Sequence, residues 1–278
     1  MDSIVFDLPM SDYRAAEGVS ATTLKNMQRS AAYARLSPSK DSEAKAWGSA
    51  VHTAVLEPEQ LKIRYGIDPE SPDGGYPSGW RNTKDYKAQL AECMEFHEGV
   101  LTREEWDDIG RIVENVAAHE IGAQLYEIEG FREVSIFAPD KETGLVRKVR
   151  PDWLIPSARM IVDVKTCRDH RPGPFARACK QYGYHMSAAY YLDTANDAIE
   201  VEHFVLLAIN SEAPFEVAAY TLDRDSIEQG RKEYREALAK FAACKRVNDW
   251  PGGSGKIEEI RLPDWSIDYY KSEGVEGW

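Results

Sequence analysis

With 278 residues, 43% of them hydrophobic and 10% aromatic, the chain can build one large domain or two small ones around a substantial core. It holds no run of about eighteen apolar residues, so no transmembrane helix is expected, and its start, MDSIVFDLPMSDYR, lacks the basic and apolar regions of a secretory signal. The net charge of −13 argues against a nucleic-acid binder that is basic over its whole surface, because phosphate contacts need Lys and Arg; a groove that is basic only locally stays open. Cys93, Cys167, Cys179 and Cys244 form no C-x-x-C pair and fit reduced thiols of a cytoplasmic protein.

The first part of the chain, about 1–128, reads as helical. SATTLKNMQRSAAYA, from Ser20 to Ala34, predicts a helix with Ser20 as its N-cap. Ser37-Pro38-Ser39 breaks it. A second helix is expected from about Ser42 to Glu57, stopped by Pro58. On it Gly48 and His52 lie four apart and share a face. A small residue one turn before a histidine leaves room for another backbone or a ligand; a His satisfied by a neighbouring carbonyl is the plainer reading. Residues 68–81, rich in Pro, Gly and Ser, predict a long loop. Helical spacing resumes from Thr83 to His97. Thr102 and Glu105 have capping-box spacing, and Trp106, Ile109, Val113 and Val116 follow at helical period as a core stripe.

The second part, about 129–248, reads as an α/β core. FREVSIFA (131–138) alternates as a strand, with Glu133 and Ser135 on one face. RKVRPDWLIPSARMIVDVKT (147–166) reads as two short strands joined by a turn at Pro156-Ser157-Ala158. Alternate strand residues share a face, so Asp163 and Lys165 point one way and Val162 and Val164 the other. Charged groups on an otherwise apolar strand need partners. Asp152 lies eleven positions before Asp163, and two carboxylates with a backbone carbonyl suit a hard cation such as Mg²⁺. A surface ion pair on an edge strand is the plain alternative. Arg147, Lys148 and Arg150 precede this stretch, and Arg168, Arg171, Arg177 and Lys180 follow it.

One helix is then expected from Arg171-Pro172-Gly173-Pro174 to about Leu192, with Pro in its first turn. Phe175, Cys179, Tyr182, Met186 and Ala189 form its apolar stripe. Arg177, Lys180, Tyr184, Ser187 and Tyr191 form a second face that either lines a groove for a phosphodiester backbone or is amphipathic surface. Strands at 202–210 and 215–222 and a helix from Asp223 to Val247 follow. The GGSGK of the tail (249–278) lacks the leading Gly and the Ser or Thr of a phosphate loop.

Pro151-Asp152 followed by Asp163-Val164-Lys165 resembles the PD-(D/E)xK nuclease superfamily. With SATTLKNM, GSAVHTAVLEP and YGYHMSAAYYLD, the chain is similar, from about Ser20 to Phe241, to the exonuclease VIII (RecE-type) family of phage recombination systems. The resemblance implies a restriction-endonuclease-like core, a mixed central sheet flanked by helices, in a single nuclease domain. It implies that Asp152 and Asp163 are metal-binding carboxylates, that the Val164 carbonyl adds a ligand and that Lys165 is the catalytic lysine. His52 is similar to the histidine ligand of the RecB-like branch, and Glu133 to an acidic residue on the first core strand. Tyr184, His185 and Tyr190 lie on the helix that faces DNA in related nucleases. Ser187 stands where such proteins carry Gln four residues before a Tyr. The implied activity is 5′→3′ exonuclease action on linear double-stranded DNA with Mg²⁺, Mn²⁺ being tolerated. A single-strand annealing partner and a ring-shaped homotetramer are implied too. A structure-specific endonuclease of the same fold and a catalytically silent DNA- or protein-binding module are the alternatives.

Overall fold

The computed structural model describes residues 3–36 and 43–263. Its first part carries β1 (Ser3–Val5), α1 (Met10–Ala15), α2 (Ala21–Met27), α3 (Ala31–Leu36), α4 (Glu43–Leu56) and α5 (Pro58–Arg64). Ser20 caps α2, its hydroxyl accepting the Thr23 N–H at 3.2 Å. The helix expected over 20–34 is two helices, because the Ser30 hydroxyl accepts the Tyr33 N–H at 2.9 Å and starts α3 afresh. Pro58 not only ends α4 but opens α5, where its missing N–H would have had no partner. The expected break at Ser37-Pro38-Ser39 and the helix start at Ser42 lie outside the described residues.

Next come β2 (Tyr65–Ile67), α6 (Lys84–Phe96), β3 (Gly99–Leu101), α7 (Arg103–Ala118) and α8 (Glu120–Glu127). The loop from 68 is tied down at its root: buried Asp68 accepts from Arg81 at 2.7 Å and from the Tyr86 hydroxyl at 3.0 Å. Thr102 and Glu105 close the expected capping box at the start of α7.

The remainder holds β4 (Phe131–Arg132), β5 (Ser135–Pro139), β6 (Val146–Val149), β7 (Trp153–Ile155), β8 (Met160–Cys167), α9 (Pro172–Gln181), α10 (Tyr184–Ala195), β9 (His203–Asn210), β10 (Val217–Thr221) and α11 (Arg224–Val247). The main sheet runs β10-β9-β8-β7-β4. It is mixed: β8 and β9 are parallel, with α9 and α10 in the connection between them, and the other neighbours are antiparallel. A smaller sheet runs β1-β5-β6. The strand expected over 131–138 is therefore split. Glu133 sits at φ 53, a left-handed conformation that ends β4, so β4 joins the main sheet and β5 the smaller one.

Both faces of the main sheet are covered, which is why its central strands read as nearly continuous apolar runs. Leu154, Ile161, Leu206 and Ala208 pack with Phe175, Met186, Tyr190, Tyr234 and Leu238. Val162, Val164, Leu207 and Ile209 pack with Val51, Val55, Ile109, Ile112 and Val116. Alternation along β8 thus sends Val162 and Val164 into the layer opposite Asp163 and Lys165, as expected.

The helix expected from 171 to 192 is broken. Gly183 adopts φ +65, and the aliphatic stem of Lys25 lies close enough to crowd any side chain there. Tyr182, expected in the core stripe, is 55% exposed at this break. α10 then packs on α11 across Gly230, where a Cβ would fall 2.2 Å from the His185 carbonyl oxygen. Because backbone cannot step aside as a side-chain tip can, Gly230→Ala is expected to destabilise the chain by about 1–3 kcal/mol. A thermal melt that coincides with wild type would contradict this packing. The four cysteines are free thiols, and among the described residues no helix is long and apolar enough to cross a membrane.

Candidate active site

The main chain of Val164, in the middle of β8, is where the candidate groups meet. Its N–H donates to Asp152 Oδ2 at 2.7 Å. Its carbonyl accepts from Lys165 Nζ at 3.1 Å. Lys165 Nζ also makes a close ion pair with Asp163 Oδ2, and His52 Nδ1 lies 3.5 Å from Asp152 Oδ2. Asp152 is held just ahead of β7, antiparallel to β8, so the two carboxylates come from neighbouring strands. α4 brings His52 in from the valine side. Gly48 on that helix is not forced by a close approach: a Cβ there would meet the Thr166 hydroxyl at an ordinary 3.5 Å.

The electrostatics follow from partial burial. The Asp152 carboxyl is pushed up to about 7, first by burial and then by the charge of Asp163. Burial opposes the charge on Lys165, but Asp163 and Asp152 outweigh it and hold the ammonium above the usual lysine range. Burial, helped by the charge of Lys165, pulls His52 down to about 4, so its imidazole is neutral near pH 7 and keeps a free lone pair.

Glu133 also borders the site, but Arg150 Nε donates to it at 2.6 Å. Its carboxyl is raised by burial and by Asp152, with Arg150 pulling the other way. Arg150 further donates to the Leu8 carbonyl at 2.7 Å and to the Ser135 hydroxyl at 3.1 Å, locking the N-terminal segment to the site. The other two basic residues before Asp152 are not groove lining. Arg147 is buried against Asp197 and Thr194, and Lys148 donates to the carbonyls of Tyr13, Arg14 and Ala16. Charged groups so enclosed are spent on internal partners.

The second helix face does not survive the break at Gly183. Arg177 and Lys180 lie on α9; Tyr184, Ser187 and Tyr191 lie on α10. Tyr184 keeps a place beside the site, its ring centroid 5.4 Å from Lys165 Nζ. Lys180 is paired with Glu233 at 2.6 Å. Ser187 is buried, and the Tyr191 hydroxyl donates inward to the Arg150 carbonyl at 3.4 Å. His185 and Tyr190 do not present themselves to a ligand either. His185 is buried against Glu233 at 3.0 Å, and the Tyr190 hydroxyl donates to the Val19 carbonyl at 2.6 Å. The sequence reading missed Lys25. Its amine is lowered to about 8 by burial and by the charge of Lys165, and only tertiary folding brings α2 within reach of β8.

Carboxylate, carbonyl and neutral imidazole groups are donors of the kind that hold a hard divalent cation; here Asp163 and the Val164 carbonyl flank the Lys165 ammonium, and His52 lies beside Asp152. Among the described residues no three His, Cys, Asp or Glu side chains gather closely enough to hold an ion alone, so the Val164 carbonyl and water would complete the shell.

A mixed sheet between helix layers, with Pro-Asp leading into one strand and Asp-x-Lys inside its neighbour, defines a PDDEXK-like, restriction-endonuclease-like fold. The chain belongs to the family described as "PDDEXK-like domain of unknown function (DUF3799)", which it matches over residues 10–263. Its fold is similar to that of the "Putative exonuclease" from Eubacterium rectale, with a TM-score of 0.58 at 12% identity over 98% of this chain and 100% of that one. A phage related exonuclease from Haemophilus somnus 129PT aligns over 85% of this chain and 99% of its own at 10% identity, with a TM-score of 0.35. No curated protein matches the chain in sequence.

Proposed function

We propose that the chain is a metal-dependent exodeoxyribonuclease acting 5′→3′ on linear double-stranded DNA and leaving 3′ single strands for an annealing partner. The observation that carries the nuclease reading is the meeting of Asp152 and Lys165 on the Val164 main chain, with Asp163 paired to Lys165 and His52 beside Asp152. Asp152, Asp163, the Val164 carbonyl and His52 would hold Mg²⁺. Bound there, the ion supplies Lewis acidity and a more acidic water. Lys165 offers a fixed positive charge to the phosphate as negative charge builds on it. Glu133, already paired with Arg150, helps to shape the wall beside Asp152 rather than standing free as a ligand. Exonuclease polarity and a homotetrameric ring rest on the resemblance to RecE-type enzymes in the sequence motifs.

The test uses end-labelled linear duplex and covalently closed circular plasmid, each with Mg²⁺ and with EDTA. Linear DNA is expected to be degraded from its 5′ ends with Mg²⁺ only, and the circle to survive. Cutting of the circle would replace this reading with an endonuclease, and no cutting of either would leave a silent binding module. A light-scattering mass of one chain, about 31 kDa, would exclude the ring.

A further inference from the structure

Arg14, Arg132, Glu133 and His52 line a cleft of about 1000 Å³ that reaches Asp152. Asp163 and Lys165 face the opposite layer of the sheet, toward α2 and the junction of α9 with α10. Tyr184 opens α10, and its ring centroid lies 5.4 Å from Lys165 Nζ. The Tyr182 ring is 5.8 Å from that of Tyr184, centroid to centroid, and Tyr182 is 55% exposed. Gly183 stands between the two tyrosines, and a Cβ placed there would fall 2.9 Å from Lys25 Cδ. The bare glycine thus lets the lysine stem lie against the backbone that carries both rings. Among the described residues the Lys25 amine has no hydrogen-bond or ion-pair partner. Lys25 is only half-buried, and the Lys165 side chain is 22% exposed, so solvent reaches both. Burial and then the charge of Lys165 work against the Lys25 ammonium, with Asp163 pulling the other way. An anion set between the two ammonium groups would offset their repulsion. A free ammonium, a second one nearby and an exposed ring, joined by continuous contacts, suit a phosphate that carries a flat base.

We propose that Lys25 holds the backbone phosphate next to the one cleaved beside Lys165, and that the exposed Tyr182 ring stacks on the base at the end of the strand. The inference rests on the nuclease reading of the site and adds how that site grips a DNA end. The Tyr184 ring spans the distance from Tyr182 to Lys165. Every base has a face that can stack on an aromatic ring, so the grip chooses no sequence. The break at Gly183 gains a use as well. A helix continuous through 183 would have turned Tyr182 inward with the apolar stripe; the left-handed glycine leaves its ring in water instead.

The test pairs two measurements: binding of a short, blunt, fluorescein-labelled duplex in EDTA, read by anisotropy across a salt series, and kcat on the same duplex in Mg²⁺. Lys25→Gln is expected to weaken binding by about fivefold to tenfold and to lower the slope of log affinity against log salt by about one. Its kcat on saturating DNA should stay within about threefold of wild type, and Lys25→Arg, which keeps stem and charge, should restore the slope. Tyr182→Ala is expected to weaken binding by about fivefold to a hundredfold, while Tyr182→Phe binds as wild type. An unchanged salt slope in Lys25→Gln, a loss confined to kcat, or wild-type binding by Tyr182→Ala overturns the proposal. A merely structural lysine would lower the melting temperature without moving the slope. The expected binding losses in a chain whose wild type hydrolyses no DNA in Mg²⁺ would remove the nuclease reading and leave the grip on DNA standing. Hydrolysis by wild type together with unchanged binding in both variants would do the reverse.

Discussion

Lys165→Ala is expected to lower DNA hydrolysis by about 10²–10³-fold or more, the scale on which loss of one preorganised charge-stabilising donor is felt. Lys165 Nζ is fixed at both ends, by the Asp163 carboxylate and by the Val164 carbonyl. The neighbouring carboxylates keep it charged well above neutrality. A lysine so held cannot act as a general base near pH 7; it stabilises charge. The pH–rate profile of the wild-type chain is accordingly expected to show no inflection from this lysine up to about pH 10. The same substitution leaves Asp163 without its counter-charge in a site where its side chain is only 10% exposed. Breaking such a pair destabilises by up to about 3–5 kcal/mol, so thermal melts belong beside the kinetics. Lys165→Arg separates the two effects. It restores the charge and is expected to recover most of the stability, but its planar fork does not reproduce a single ammonium between two oxygens, so the rate should stay low. Wild-type hydrolysis by a folded Lys165→Ala chain would remove Lys165 from the chemistry.

Asp152→Asn is expected to abolish hydrolysis and, without metal, to make the protein more stable at pH 8. The Asp152 carboxyl rises from an ordinary 3.8 to about 7 on folding, through burial and then the charge of Asp163. The folded chain therefore holds this proton more tightly than the unfolded one. Its stabilising contribution is complete below about 3.8, declines as pH rises between the two values, and is gone above about 7. Metal-free wild type should thus melt several degrees lower at pH 8 than at pH 5.5, an effect on the order of a few kcal/mol. In Asp152→Asn this slope should be largely lost, because an amide has no proton to shed and can still accept the Val164 N–H. Mg²⁺ or Mn²⁺ should raise the wild-type melting temperature most above pH 7, where the carboxylate is ionised, and do little for the variant. A wild-type melt that does not change between pH 5.5 and pH 8 in EDTA would contradict the buried position of Asp152.

Much of the site was legible in the chain because strand geometry is local. A period of two puts Asp163 and Lys165 on one face and the valines on the other whatever surrounds them, and the apolar run marks a strand covered on both sides. The caps at Ser20 and Thr102 were readable for the same reason, since each needs only a side chain three residues from the N–H it satisfies. The helix expected across 171–192 failed at Gly183, where apolar and basic spacing gave no sign of a left-handed residue. The strand expected across 131–138 failed at Glu133 because the alternation continues through a residue whose backbone turns the chain into another sheet.

The amino-acid sequence by itself determined which residues could carry the chemistry: two carboxylates, a lysine and a histidine, set on elements whose periodicity aims them. Only the tertiary structure decided which charges are available. Arg147, Lys148 and Arg150 look alike in sequence, yet two are enclosed by internal partners and the third is locked between Glu133 and Leu8. Arg14, Arg132 and Lys25 reach the site from segments far from β8. Desolvation and pairing depend on what lies across space, and no local pattern records that distance.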